Sequence, residues 1–238
     1  MLTNRLFRRT ARFFSRGGFT LVELLVVIGI IAILAGVALG PITRGIKQAQ
    51  ESTAVQVAHQ VGVLEFAYSN DYSQTYPYDS AGKAENIAIT LLQGGYANNP
   101  SIFYVAGTPG AVKCTGSTPF TSANFTAHNC NWDFWQGTTS GLTSTTNDLT
   151  PLCQLTTGAQ ITGLPTTAGS GITLTINPTS TAFGSDGIAV YYKGNNSVFV
   201  KCLAQSATAA TNAPNSPVPY VGTGYSDPLG ATYESIIP

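Results

Sequence analysis

The chain has 238 residues and carries 11 basic and 11 acidic side chains, so only 9% of it is charged, against roughly 25% in an average soluble domain. The balance is uneven. Arg5, Arg8, Arg9, Arg12 and Arg16 fall in the first 18 positions with no acid among them, and the other 220 residues hold 6 basic and 11 acidic groups, net −5. That sign excludes a nucleic-acid-coating role for the bulk of the chain. A hydrophobic content of 43% with 10% aromatics excludes a disordered one.

Residues 19–39 contain only two polar side chains, Thr20 and Glu23, and residues 24–39 contain none. At about 1.5 Å rise per residue, a helix of this length spans roughly 30 Å, the hydrocarbon thickness of a bilayer. A buried core helix rarely runs so far without a polar face. The arginines before the run place the N-terminus in the cytoplasm and the rest of the chain across the membrane. A removed secretory signal fits poorly. The run exceeds the usual ~7–15 residues. The best cleavage triplet, Ala38-Leu39-Gly40, is followed by Pro41, and a carboxylate lies inside the apolar run. That carboxylate, Glu23, costs several kcal/mol in hydrocarbon unless it is paired.

The stretch Arg16-Gly17-Gly18-Phe19-Thr20-Leu21-Val22-Glu23, followed by an unbroken apolar helix, resembles the class III signal of type IV pilins and of type II secretion pseudopilins. The resemblance covers about the first 45 residues. It implies cleavage by a prepilin peptidase between Gly18 and Phe19, N-methylation of Phe19, and retention of the apolar helix. It also gives Glu23 an assembly role, pairing with the Phe19 ammonium of a neighbouring subunit so that two desolvation costs are offset together.

Further along, Pro41 is expected to kink or loosen the helix, with Gly36, Gly40 and Gly45 weakening it nearby. An amphipathic continuation follows. Ile42, Ile46, Ala49, Thr53, Val57, Val61, Leu64, Ala67 and Tyr68 share one sector of a helical wheel, and Lys47, Gln48, Glu51, Gln56 and Glu65 lie opposite. The first set should pack on the body. His59, near the border, reads as a surface histidine. The helix should end within residues 68–73, where Asn70 to Pro77 partly resembles the pseudopilin Y…NGxYP boundary without its glycine. Residues 86–94 read as a short helix with a glycine C-cap. Its position, with Tyr96 and Pro100 after it, also resembles pseudopilins.

Beyond residue 101 the pattern becomes short β runs between turn clusters. Strands are expected at 102–106, 111–114, 172–176, 188–193 and 198–203. The last two should form a hairpin around Gly194-Asn195-Asn196, with Val198, Val200 and Cys202 facing inward. Residues 137–150 and 204–227 read as exposed loops. Trp132, Phe134 and Trp135 read as core filling, with a glycan or partner patch as the minority alternative.

Cys114, Cys130, Cys153 and Cys202 lack zinc-site spacing. In an oxidising compartment an even count favours disulfides. Three pairings are open, with Cys114–Cys130 and Cys153–Cys202 preferred. No nucleophile elbow, phosphate loop or zinc-protease motif is present, so the chain is not expected to be an enzyme or to need a cofactor. A calcium site using Asp186 and Asp227 is a weaker option than a simple turn at Asp186.

The expected architecture is α+β: a cleaved leader (1–18), a transmembrane and filament-core helix (19–40), an amphipathic continuation (41–72), and a loop-rich antiparallel β body in the periplasm (73–238). The resemblance implies a pseudopilin supporting type II protein export. Its partners would be the prepilin peptidase, copies of itself, other pseudopilins and the inner-membrane secretion platform, with no nucleic acid. A type IV pilin or minor pilin for adhesion, motility or DNA uptake is the alternative within the family. A membrane-anchored periplasmic binding module that never polymerises is the alternative outside it.

Overall fold

The computed structural model describes residues 19–156, except 138, 147 and 149, and residues 181–201, except 185. Four short strands beyond these are described by their backbone alone. The chain divides into two units, Met1–Lys47 and Gln48–Pro238. Its fold is a long N-terminal helix followed by a small antiparallel sheet body.

Helix α1 spans Leu21–Asp71 and continues through Pro41. The expected loosening does not interrupt it. Pro41 removes one backbone donor, and beside it the Thr43 hydroxyl donates to the carbonyls of Leu39 (3.1 Å) and Gly40 (2.9 Å). Within the second unit, α1 buries Ala54, Ala58, Val61, Gly62, Glu65 and Ser69. This face is rotated by about 110° from the bulky stripe expected on a wheel of 100° per residue. Thr53 is exposed, and Val57, Leu64 and Tyr68 flank the contact half-buried. Small residues win the central positions because they let the helix approach the sheet closely. At Gly62 a Cβ would sit 1.9 Å from the Tyr191 ring. The expectation that Glu65 faces solvent is therefore wrong.

At the end of α1, Ser73 (φ 54°) and Gln74 (φ 61°) adopt the left-handed backbone that a glycine usually supplies, at roughly 1–2 kcal/mol each. The Gln74 N–H reaches back to the Ser69 carbonyl at 2.7 Å, and the Ser144 N–H bonds the Gln74 carbonyl at 3.1 Å, so the turn is held from both sides. Helix α2 spans Ala84–Gln93 and ends as expected at a glycine pair, with Gly95 at φ +75° and the Tyr96 N–H returning to the Leu91 carbonyl. The Tyr96 hydroxyl donates to the Asp71 carboxylate at 2.8 Å, which ties the segment after α2 to the end of α1.

The strand expected at 102–106 is not formed. Pro100–Phe103 is a 3₁₀ turn instead, capped by the Asn99 side chain, which accepts from the Ser101 N–H. The segment 111–114 joins no sheet. The Val112 N–H donates to the His128 carbonyl, and the Asn129 side-chain amide donates to the Val112 carbonyl. One backbone carbonyl and one side-chain amide thus satisfy Val112 in place of a neighbouring strand.

The main sheet has the order β5-β4-β2-β1-β8. Its members are β1 Trp132–Gly137, β2 Pro151–Leu155, β4 Gly187–Tyr192, β5 Asn196–Lys201 and β8 Tyr233–Ile236, all antiparallel. A second sheet joins β3 Thr175–Ile176, β7 Ala210–Thr211 and β6 Ala204–Gln205. The β4–β5 hairpin agrees with expectation, with Asn195 at φ 62° in its turn. Strands β6 and β7 fall in a segment expected to be loop. Strands β1 and β2 were not expected as strands. Segment 137–150 is more buried than an exposed loop, because Leu142, Thr146 and Thr150 are covered.

Phe134, Cys153, Tyr191 and Ser197 lie in register across four strands. Trp132, Phe134 and Trp135 are all buried, in line with the core-filling reading. β1, β2 and β4 are covered on both faces, so buried polar groups must pair within the sheet. The Trp135 indole N–H donates to Gln154 Oε1 at 3.1 Å.

Candidate functional site

The N-terminal turn of α1 is a reciprocal cap. Thr20 precedes the first helical residue and Glu23 is the third. The Glu23 N–H donates to Thr20 Oγ1 at 3.2 Å, while Glu23 Oε2 accepts from the Thr20 N–H at 2.8 Å and from its hydroxyl at 2.7 Å. This is a capping box, which satisfies two of the donors that every helix start leaves open. The Thr-x-x-Glu spacing is its sequence signal, and reading Glu23 only for its charge overlooked Thr20 as its partner. The cap satisfies hydrogen bonds but supplies no positive charge. Among the described residues, every hydrogen bond to the Glu23 carboxylate falls on one of its two oxygens.

Beyond Glu23, α1 presents apolar side chains on every side. Residues 19–50 are all exposed, and the most apolar 18-residue window has a mean hydropathy of 2.8. Leu24, Ile28, Ile31 and Leu34 are each more than half exposed. Bare surface of this size needs a cover of lipid or of other chains. The helix is long and apolar enough to be a single membrane anchor. Phe19, 76% exposed, sits just ahead of the cap, and Gly18 lies outside the described residues.

The signature of the prokaryotic N-terminal methylation motif matches residues 14–39, a span that holds both Phe19 and the cap. A curated relative, the fimbrial protein EcpC of Eikenella corrodens, is 32% identical over 162 residues, covering 68% of this chain and 95% of the relative. The chain belongs to the type IV pilin-like family. No solved structure matches it.

No group of three His, Cys, Asp or Glu side chains clusters at metal-binding distance among the described residues. Asp186 follows the turn at 181–184 and its N–H donates to the Phe183 carbonyl, which suits the turn reading. Asp227, its suggested calcium partner, lies outside the described residues. His59 is half-buried rather than fully exposed, with its ring edge-on to Tyr191 at 5.5 Å.

The expected Cys114–Cys130 bridge is not formed. Cys114, Cys130 and Cys153 are buried free thiols. Their sulfurs donate to three different carbonyls, those of Asn124, Trp132 and Ala58, at 3.6, 3.6 and 3.7 Å. Burial pushes the Cys130 and Cys153 thiols well above their ordinary ionisation range. Cys202 lies outside the described residues, and with it the Cys153–Cys202 pairing.

Proposed function

We propose that this chain is a structural subunit of a pilus. On this reading it is cut between Gly18 and Phe19 by a prepilin peptidase, methylated at Phe19 and assembled through α1. The observation that carries the reading is the helix start. Glu23 is the one ionisable group in an apolar run of membrane length, and among the described residues its carboxylate is met by the hydrogen bonds of Thr20 and by no cation. Cleavage places a new ammonium at Phe19, four residues before that carboxylate. Between neighbouring subunits the two charges offset each other's desolvation, and the pairing sets the axial stagger.

Residues 1–18 then form the cytoplasmic leader, and 19–40 the inner-membrane and later filament-core segment. Residues 41–72 are the continuation that seats on the body, and 73–238 the body beyond the membrane. Copies of the same chain, related pilins and an inner-membrane assembly platform are the partners.

A pilus is favoured over a type II secretion pseudopilus by the fimbrial relative, 95% of whose length is matched. Mass spectrometry of the mature protein is expected to find a methylated phenylalanine at position 19. Glu23→Ala should leave membrane insertion intact and abolish filament incorporation. Normal filaments from Glu23→Ala would overturn the assembly role. Loss of protein export without loss of surface fibres, in a strain lacking this chain, would favour the pseudopilus.

A further inference from the structure

Glu65 occupies the centre of the face that α1 lays on the sheet, with Val61 and Gly62 on one side and Ser69 on the other. It is 2% exposed. An acid at this depth normally has a cation beside it, yet no ion pair reaches Glu65 among the described residues. Three elements bring groups that are neutral at pH 7 near it. The Cys153 thiol comes from β2, the Tyr191 phenol from β4, and Tyr76 from the segment after α1. His59, on the same helix, abuts the Tyr191 ring. Glu65 Oε1 has no hydrogen-bond partner. A carboxylate here would be a buried anion with no cation beside it among the described residues, whereas a carboxylic acid fits the site.

We propose that Glu65 is a proton-dependent latch between α1 and the sheet: the neutral acid seats the helix on β2 and β4, and loss of its proton weakens the seat. Burial raises its ionisation from 4.5 to about 8, with the Cys153 contact opposing in part. Cys153 is itself held well above 9 and Tyr191 up to about 12, so neither competes with Glu65 in the neutral range.

The sign follows from linkage. Between about 4.5, the ordinary value that holds in the unfolded chain, and about 8 in the folded one, the folded state holds a proton that the unfolded state has released. The contribution is therefore complete below about pH 4.5. It falls tenfold in folding constant per pH unit up to about 8 and is flat above that, a loss of about three and a half decades in all. On the topology proposed above, the body sits beyond the membrane and takes its pH from the surroundings, so the latch is tight in acid and slack in alkali.

The test is urea unfolding of the full chain in a zwitterionic detergent, followed by tryptophan fluorescence at whole pH values from 5 to 10. The wild type should lose folding constant across pH 5–8 and level off by pH 9. Glu65→Gln, which keeps the shape and removes the titration, should be nearly flat over that window. Equal slopes in the two proteins would overturn the proposal. Should Glu65→Gln not fold, carbon-13 NMR of the Glu65 carboxyl in the wild type decides: a midpoint near 8 supports the latch and one below 6 refutes it. None of these outcomes depends on whether the chain forms filaments.

Discussion

Gly62→Ala isolates the helix–sheet contact. In an exposed helix this change stabilises by roughly 1 kcal/mol, because glycine surrenders more backbone entropy than alanine. Here the added methyl would fall 1.9, 2.0 and 2.5 Å from three carbons of the Tyr191 ring. That ring has little room to yield. Tyr191 is 2% exposed, its hydroxyl reaches Asn195 Oδ1 at 3.2 Å, and the His59 ring lies against it. Overpacking a well-filled contact costs typically 1–3 kcal/mol, and this one closes well inside van der Waals distance, so the upper part of that range applies. Subtracting the propensity gain leaves a net loss of about 1–2 kcal/mol. For a body of this size that lowers the melting midpoint by about 2–4 °C per kcal/mol. Gly45→Ala is the control, since nothing lies within 4 Å of a Cβ there, and it should hold or slightly raise the midpoint. Thermal unfolding of the full chain, read by tryptophan fluorescence, measures both. A Gly62→Ala protein as stable as wild type, with unchanged cooperativity, would show that α1 does not pack on Tyr191 in this way.

Two further outcomes follow from the body's buried groups. Cys114, Cys130 and Cys153 should resist iodoacetamide at pH 8 in the folded chain and each take up one label in urea without prior reduction, as counted by mass spectrometry; a requirement for reductant would mean that they are paired. Gln154→Leu should cost about 1–3 kcal/mol in urea unfolding, because the Trp135 N–H loses its acceptor in a site closed to water, and an unchanged midpoint would refute that dependence.

How much of this was legible in the chain depends on how far each signal must travel. The apolar helix and Glu23 are written within one short stretch, since a membrane-length run and a Thr-x-x-Glu cap need no distant partner. The β4–β5 hairpin and the Gly94-Gly95 helix end are local in the same sense, set by turn chemistry beside the element it closes. Glu65 is the opposite case. On a helical wheel an acid marks the solvent side, and nothing within several turns of α1 announces that Cys153 and Tyr191 will cover it. The same holds for β1, whose Asp133 and Gln136 break the apolar pattern of a buried strand. Gln154, which receives the Trp135 N–H, belongs to another strand, and Gln136 exchanges hydrogen bonds with the Asp79 backbone far back in the chain. The 3₁₀ turn at Pro100–Phe103 displaced an expected strand because Asn99 and Pro100 cap it locally, a signal that was present and outweighed by the apolar run after it. The division has a physical cause. The segment proposed for assembly has no partner within its own chain to pack on, so its signal is written within a few turns of helix. The body is held by pairings between residues far apart, and a polar residue's sequence neighbours do not reveal whether water or another strand will satisfy it.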